Sequence, residues 1–148
     1  MIKTKLDTED YVKLIELGYQ FHQESQFRDT DYDNEKVFTI LRATQLYSDK
    51  FFVAFDTNFN GVILLQMSTQ FFSKVKWAGD QAFYVKPELR GSSLAHELLE
   101  AGAEWAKKNG ATELVILHNA GIGLESAKHY YRKEGFELSG MIFNKRLI

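Results

Sequence analysis

The chain has 148 residues, the length of one domain, and two separate cores would leave each half too small to bury enough surface. Its 45% hydrophobic and 14% aromatic content argues against intrinsic disorder, and the absence of cysteine excludes disulfides, thiolate metal sites and a cysteine nucleophile. Eighteen basic against 20 acidic residues leave a net charge of −2, with no basic field to attract nucleic acid. The longest apolar run, Val62 to Leu65, is far short of the roughly 20 residues of a membrane-spanning helix. Met1 to Leu6 lacks the apolar stretch of a signal peptide, so a cytoplasmic protein of one domain, residues 1–148, is expected.

In chain order, residues 1–6 read as a short strand. Thr8, followed by Glu9 and Asp10, reads as a helix start, with a hydroxyl cap and acids that suit the dipole. Val12, Ile15, Tyr19 and His22 then recur at helical spacing. The polar break from Arg28 to Asp31 precedes a second helix, where Val37, Ile40, Leu41 and Thr44 share a face. Phe51 to Phe55 and Val62 to Met67 read as two strands of a hairpin around the turn chemistry of Asp56 to Gly61. Trp77 to Val85 is a further strand, ended at the only proline, Pro87, which cannot donate to a ladder.

From Ser92 to Asn109 the pattern is helical: Leu94, Ala95, Leu98, Leu99, Gly102, Trp105 and Ala106 form one apolar stripe, closed by Lys107, Lys108 and Gly110. Leu114 to Leu117 reads as a buried strand and Leu124 to Glu134 as a last helix. Phe136 to Leu138 and Met141 to Ile148 read as two closing strands. The order βααβββαβαββ implies an α/β (α+β) fold, a mixed sheet with helices on both faces.

The stretch from Phe83 to Ala95 carries the chemistry. A strand ends, a tight loop of small residues follows, and a long helix begins at once. That arrangement aims unpaired backbone N–H groups and the positive end of a helix dipole at one spot, where small residues let a phosphate approach. Arg90 adds a permanent cation at the rim. The residues alone fit a phosphate cradle and an ordinary capped helix equally well. No G-x-x-x-x-G-K-[ST] motif occurs, which excludes a P-loop.

Val85, Pro87, Glu88, Arg90, Gly91 and Ala95, followed by Leu98 and Leu99, resemble the acetyl-CoA-binding motif of the GNAT N-acetyltransferases. Ser93 stands where that family's second glycine is usual. A second segment, Ala127, Tyr130, Tyr131, Lys133, Gly135 and Phe136, resembles the family's A-x-x-F-Y-x-K-x-G-F pattern, with Leu124 where an asparagine is common. The resemblance covers essentially the whole chain. It implies about seven mostly antiparallel strands and four helices, with acetyl-CoA as co-substrate in a split between the strand ending at Val85 and the strand Leu114–Leu117.

By the same resemblance, the coenzyme-binding residues are Phe83, Tyr84, Val85, Arg90, Gly91, Ser92, Ser93, Leu94, Ala95 and Asn119. Backbone groups of Phe83 and Val85 would hold the thioester and pantetheine arm, and the amides after Arg90 the pyrophosphate. Tyr131 would protonate the leaving thiolate, a role that suits a phenol of ordinary pKa near 10.

The acceptor amine must lose a proton, and Asp80 and Glu24 are candidate bases, with His118 third. Histidines 22, 96, 118 and 129 lack metal-ligand spacing, so no metal is expected. The stretch from His22 to Arg28 resembles the cleft-lining helix of small acetyltransferases of tailed bacteriophages, although an ordinary solvated helix end explains it more simply. The expected acceptor is an amine on a small molecule or peptide, with neither nucleic acid nor membrane as a partner. Phe71, Phe72 and the closing strand are apolar enough for a homodimer interface. The alternatives are a coenzyme A-binding module with little transferase activity, and a phage-type relative that modifies nucleobases.

Overall fold

The computed structural model describes residues 1–118 and 123–148. Its elements run β1 (Ile2–Lys3), α1 (Thr8–Glu24), α2 (Asn34–Leu46), β2 (Phe51–Asp56), β3 (Gly61–Thr69), β4 (Lys76–Val85), a 3₁₀ turn at Pro87–Leu89, α3 (Leu94–Lys108), β5 (Ala111–Val115) and α4 (Leu124–Lys133). The sheet order is β1-β2-β3-β4-β5, antiparallel except for the parallel β4–β5 pair. Among the described residues, no helix is long and apolar enough to cross a membrane.

Strand alternation divides the core into two. Val53, Phe55, Val62 and Tyr84 face Leu14 and Leu17 of α1 and Leu41 of α2. Phe52, Ala54, Ile63, Leu65 and Val85 face Leu94, Leu98 and Leu99 of α3, and Tyr130, Tyr131 and Phe136 pack on that same cluster. Both faces of the central strands are covered, which is why they read as continuous apolar runs. The stripe on α3 is interrupted by Gly102 for a reason of space: a Cβ there would lie 2.8 Å from Leu65 Cδ1. The β2–β3 turn is organised by Asp56, whose Oδ1 accepts from the N–H groups of Asn60 at 2.7 Å and Gly61 at 2.8 Å.

Three expectations change. The cap of α1 is Asp7 rather than Thr8, and Asp10 Oδ2 reaches back to the Asp7 N–H at 2.8 Å, which completes the end reciprocally. β5 lies earlier than the apolar run suggests, because its ladder with β4 begins at Lys76–Ala111 and is finished at Gly79–Val115. The two closing strands are not formed, so the sheet has five strands among the described residues instead of about seven. Residues 137–148 are exposed throughout, with Leu138 at 71% and Phe143 at 85%. None of their apolar side chains is buried, and without burial the ladder has little to offset its entropy.

Candidate active site

β4 and β5 part company abruptly. Their pairing ends at Gly79–Val115, while β4 continues six residues further, to Val85. The departure coincides with a register shift on the other side of β4. Leu65 pairs with Asp80 and Leu64 with Ala82, which leaves Gln81 as the extra residue of a bulge. Beyond the bulge, the Lys86 N–H bonds to the Asn60 carbonyl at 2.8 Å. Alternation along an antiparallel strand then assigns Tyr84 and Ala82 to the β3 ladder. It turns the N–H and C=O groups of Phe83 and Val85 away from β3, into the split.

At the inner end of the split three side chains converge. Asp80 Oδ1 accepts from the Leu117 N–H at 2.7 Å, so the carboxylate closes the gap where β5 has left the sheet. Burial pushes the Asp80 carboxyl up to about 6; the Leu117 hydrogen bond, one to its own backbone N–H and the charge of His118 oppose that rise. The Tyr131 hydroxyl lies 3.5 Å from His118 Nδ1, and the two rings are 5.7 Å apart. Phe83, Tyr130 and Phe136 surround the Tyr131 ring at 6.4, 5.6 and 5.6 Å. Burial first, then the negative charge of Asp80, raises the Tyr131 phenol well above its ordinary value of 10.0. It therefore holds its proton more firmly than the unperturbed phenol assumed from sequence.

At the outer end the site is main chain. β4 ends at Val85, the chain turns through Pro87–Leu89, and Gly91 takes φ +90°, a left-handed conformation that disfavours any side chain. Ser92 Oγ donates to the Leu89 carbonyl at 2.6 Å and accepts from the Leu94 N–H at 3.3 Å. Ala95 and His96 lie in the first turn of α3, where helical geometry gives their N–H groups no intrahelical acceptor. A strand edge whose amide groups turn away from β3 and that leads onto a small-residue helix start fits an extended amide-bearing arm joined to a diphosphate.

The Acetyltransferase (GNAT) domain family matches residues 47–138, which include β2 to β5, α3, the loop and α4. The chain belongs to the GNAT acetyltransferases. Solved structures agree on the fold. Glucosamine-6-phosphate N-acetyltransferase from Arabidopsis thaliana is 16% identical with a TM-score of 0.72, and the match covers 100% of this chain and 99% of that one. The ribosomal-protein-alanine N-acetyltransferase from Brucella melitensis is 16% identical with a TM-score of 0.69, over 99% of both chains. An aminoglycoside acetyltransferase from an uncultured soil sample, solved with sisomicin, is 17% identical with a TM-score of 0.69, covering 99% of this chain and 97% of that one. No curated protein matches the chain significantly in sequence. As a GNAT acetyltransferase, the protein is an enzyme of acyl transfer.

Within this GNAT fold, Tyr131, Asp80 and His118 come together, and Phe83 and Val85 line the split. Gly91, Ser92, Ser93 and Ala95 form the loop and helix start. Leu94 is in that turn as well, but its side chain is buried in the core. Tyr84 is not brought to the split: it is 5% exposed, and its hydroxyl donates to Glu24 Oε2 at 2.7 Å on the α1 face. Glu24 is also paired to Arg90 at 2.7 Å, away from the Asp80 end. Asn119 lies outside the described residues.

Sequence reading missed the Gln81 bulge and the role of the Leu117 N–H, neither of which carries a residue signature. It also missed the approach of His96 and Glu100 to Glu134, whose ligand atoms all lie within 4.8 Å of one another. The four histidines lack ligand spacing among themselves, but His96 and Glu100 are spaced i, i+4 on one helix. His96 Nδ1 and Glu134 Oε2, 2.8 Å apart, form a hydrogen bond, an ion pair when the imidazole is protonated, that ties the start of α3 to the end of α4. A cavity of about 520 Å³ on the outer side of α1, lined by Glu16, Tyr19 and Tyr32, includes no residue of the split.

Proposed function

We propose that the protein is an acetyl-CoA-dependent N-acetyltransferase that passes an acetyl group directly to a primary amine of a small molecule or peptide. The observation that carries this reading is the parting of β4 and β5 at Gly79–Val115, with Asp80, His118 and Tyr131 at its inner end and the Arg90–Ala95 loop at its outer end. Acetyl-CoA would supply the activated acyl group as a thioester. The split-side amides of Phe83 and Val85 would hold the arm, and one N–H there would stabilise negative charge developing on the carbonyl oxygen. The N–H groups after Arg90 would hold the diphosphate.

Asp80, with its carboxyl near 6, is ionised at neutral pH and accepts the proton that the attacking amine gives up, directly or through one water. Glu24 is the weaker base candidate, since both of its oxygens are already engaged by Arg90 and Tyr84. Tyr131 keeps its proton through this range and offers it to the leaving sulfur as a hydrogen bond. His118, against the Tyr131 hydroxyl, orients it. No covalent intermediate on the protein is required, in keeping with a chain that has no cysteine.

The test is thiol release from acetyl-CoA over a panel of aminoglycosides, other amines and peptides, with acetylated product identified by mass. An amine-dependent release above hydrolysis is expected. Coenzyme binding with no release for any amine would favour a binding module without transfer.

A further inference from the structure

Arg90 opens the loop, yet its guanidinium is folded back from it. Nε donates to the Val85 carbonyl at 2.9 Å, Nη2 meets Glu24 Oε1 at 2.7 Å, and Cζ lies 5.6 Å from the Tyr84 ring centroid. Tyr84 in turn donates its hydroxyl to the other oxygen of Glu24 at 2.7 Å. The Val85 carbonyl is one of the groups that strand alternation turns into the split. The guanidinium thus covers the last acceptor on the edge that an amide-bearing arm would pair with, while a carboxylate and an aromatic face hold it there.

We propose that Arg90 is a latch over the Val85 end of the split, and that Glu24 is the positioning residue that keeps it shut until the pantetheine arm displaces it. The inference rests on the reading of the split as the coenzyme site. It changes the role of both residues: Arg90 guards the arm's binding edge, and Glu24 sets coenzyme affinity from α1 without touching the reacting atoms. A site that is open only part of the time binds its ligand more weakly by the open fraction, so a latch shut about nine-tenths of the time lowers affinity about tenfold. Because Glu24 is the last residue of α1, displacement of Arg90 also releases a carboxylate on the helix that borders the opposite face of β4.

Calorimetric titration separates the latch from a purely structural tie. Two probes are used: coenzyme A, and adenosine 3′,5′-diphosphate, which has phosphates but no pantetheine arm. Glu24→Gln is expected to tighten coenzyme A binding about five- to tenfold and leave adenosine 3′,5′-diphosphate unchanged. Tyr84→Phe, which removes one bond to Glu24, is expected to act in the same direction by about twofold, and both variants are checked for an intact melting transition. Weaker coenzyme A binding in Glu24→Gln, or an equal shift for both probes, would overturn the latch and leave the tie structural. Absence of coenzyme A binding to the wild type would overturn the coenzyme site itself, and the latch with it.

Discussion

The two ends of the β4–β5 split are made of different material. At the inner end Asp80, His118 and Tyr131 are titratable side chains in a half-buried nest of rings, and burial shifts the first and the last upward. At the outer end the chain offers amides, a glycine at φ +90°, two serines and a permanent cation, all near solvent. Chemistry needs particular protons in a low-dielectric setting, whereas holding an arm and a diphosphate needs backbone N–H groups, which every residue but proline supplies. Replacing a side chain at the inner end should therefore cost rate, and altering the outer end should cost affinity.

The largest effect expected of that contrast is on Tyr131. Tyr131→Phe should lower kcat by about a hundredfold, the scale of losing one hydrogen-bond donor to a charge that develops in the transition state, with little change in coenzyme KM. A variant with full turnover for every accepted amine would remove Tyr131 from the mechanism.

Asp80→Asn comes next. Turnover should fall about thirtyfold at neutral pH, and the rise in kcat/KM as pH passes about 6, expected from ionisation of Asp80, should vanish. Stability should move the other way. The folded-state carboxyl sits above its ordinary 3.8, so the folded protein favours the protonated form. That advantage is whole below about 3.8 and is lost as pH rises through about 6. Asp80→Asn, which never ionises, should therefore be more stable to unfolding than wild type at pH 8, by up to about 3 kcal/mol, and melt higher.

At the outer end, Gly91→Ala should leave kcat nearly intact and weaken coenzyme A about tenfold. A side chain at φ +90° costs about 1–2 kcal/mol, although nothing lies within 4 Å of the added Cβ. The smallest effect belongs to the His96 side chain, which is engaged by Glu134 rather than by either end of the split. Its hydrogen bond to Glu134, then the charge of that carboxylate, raises the imidazole above 6.5. The folded protein gains from the protonated form below 6.5 and loses that gain as pH rises through the raised value. His96→Gln should flatten this shallow pH dependence of the melting temperature and leave coenzyme affinity alone.

The same contrast governs what could be read without coordinates. At the outer end the strand end, the loop and the helix start were legible because their requirements are local: a proline after a strand and small residues before a helix. The reading of that loop as a diphosphate cradle rests on the family pattern. The inner end was legible only through the spacing of Tyr131 within a family pattern. Sequence alone did not separate Asp80 from Glu24 as the base, since the Gln81 bulge and the departure of β5 that isolate Asp80 are products of pairing between distant segments. Pairing also explains the misplaced β5. The ladder starts at Ala111, ahead of the apolar run, and Ile116 and Leu117 leave the sheet to border the site. Residues 141–148 carry strand-like composition with no edge engaged, and composition alone does not supply a partner.

The most direct measurement is calorimetric titration of coenzyme A into wild type and into the Ser92→Glu/Ser93→Glu double variant. One-to-one binding to the wild type is predicted, weakened by more than about a hundredfold in the variant, because two carboxylates at the start of α3 would repel the diphosphate. Equal affinity in the two proteins would contradict a diphosphate site in this loop, and with it the assignment of the split.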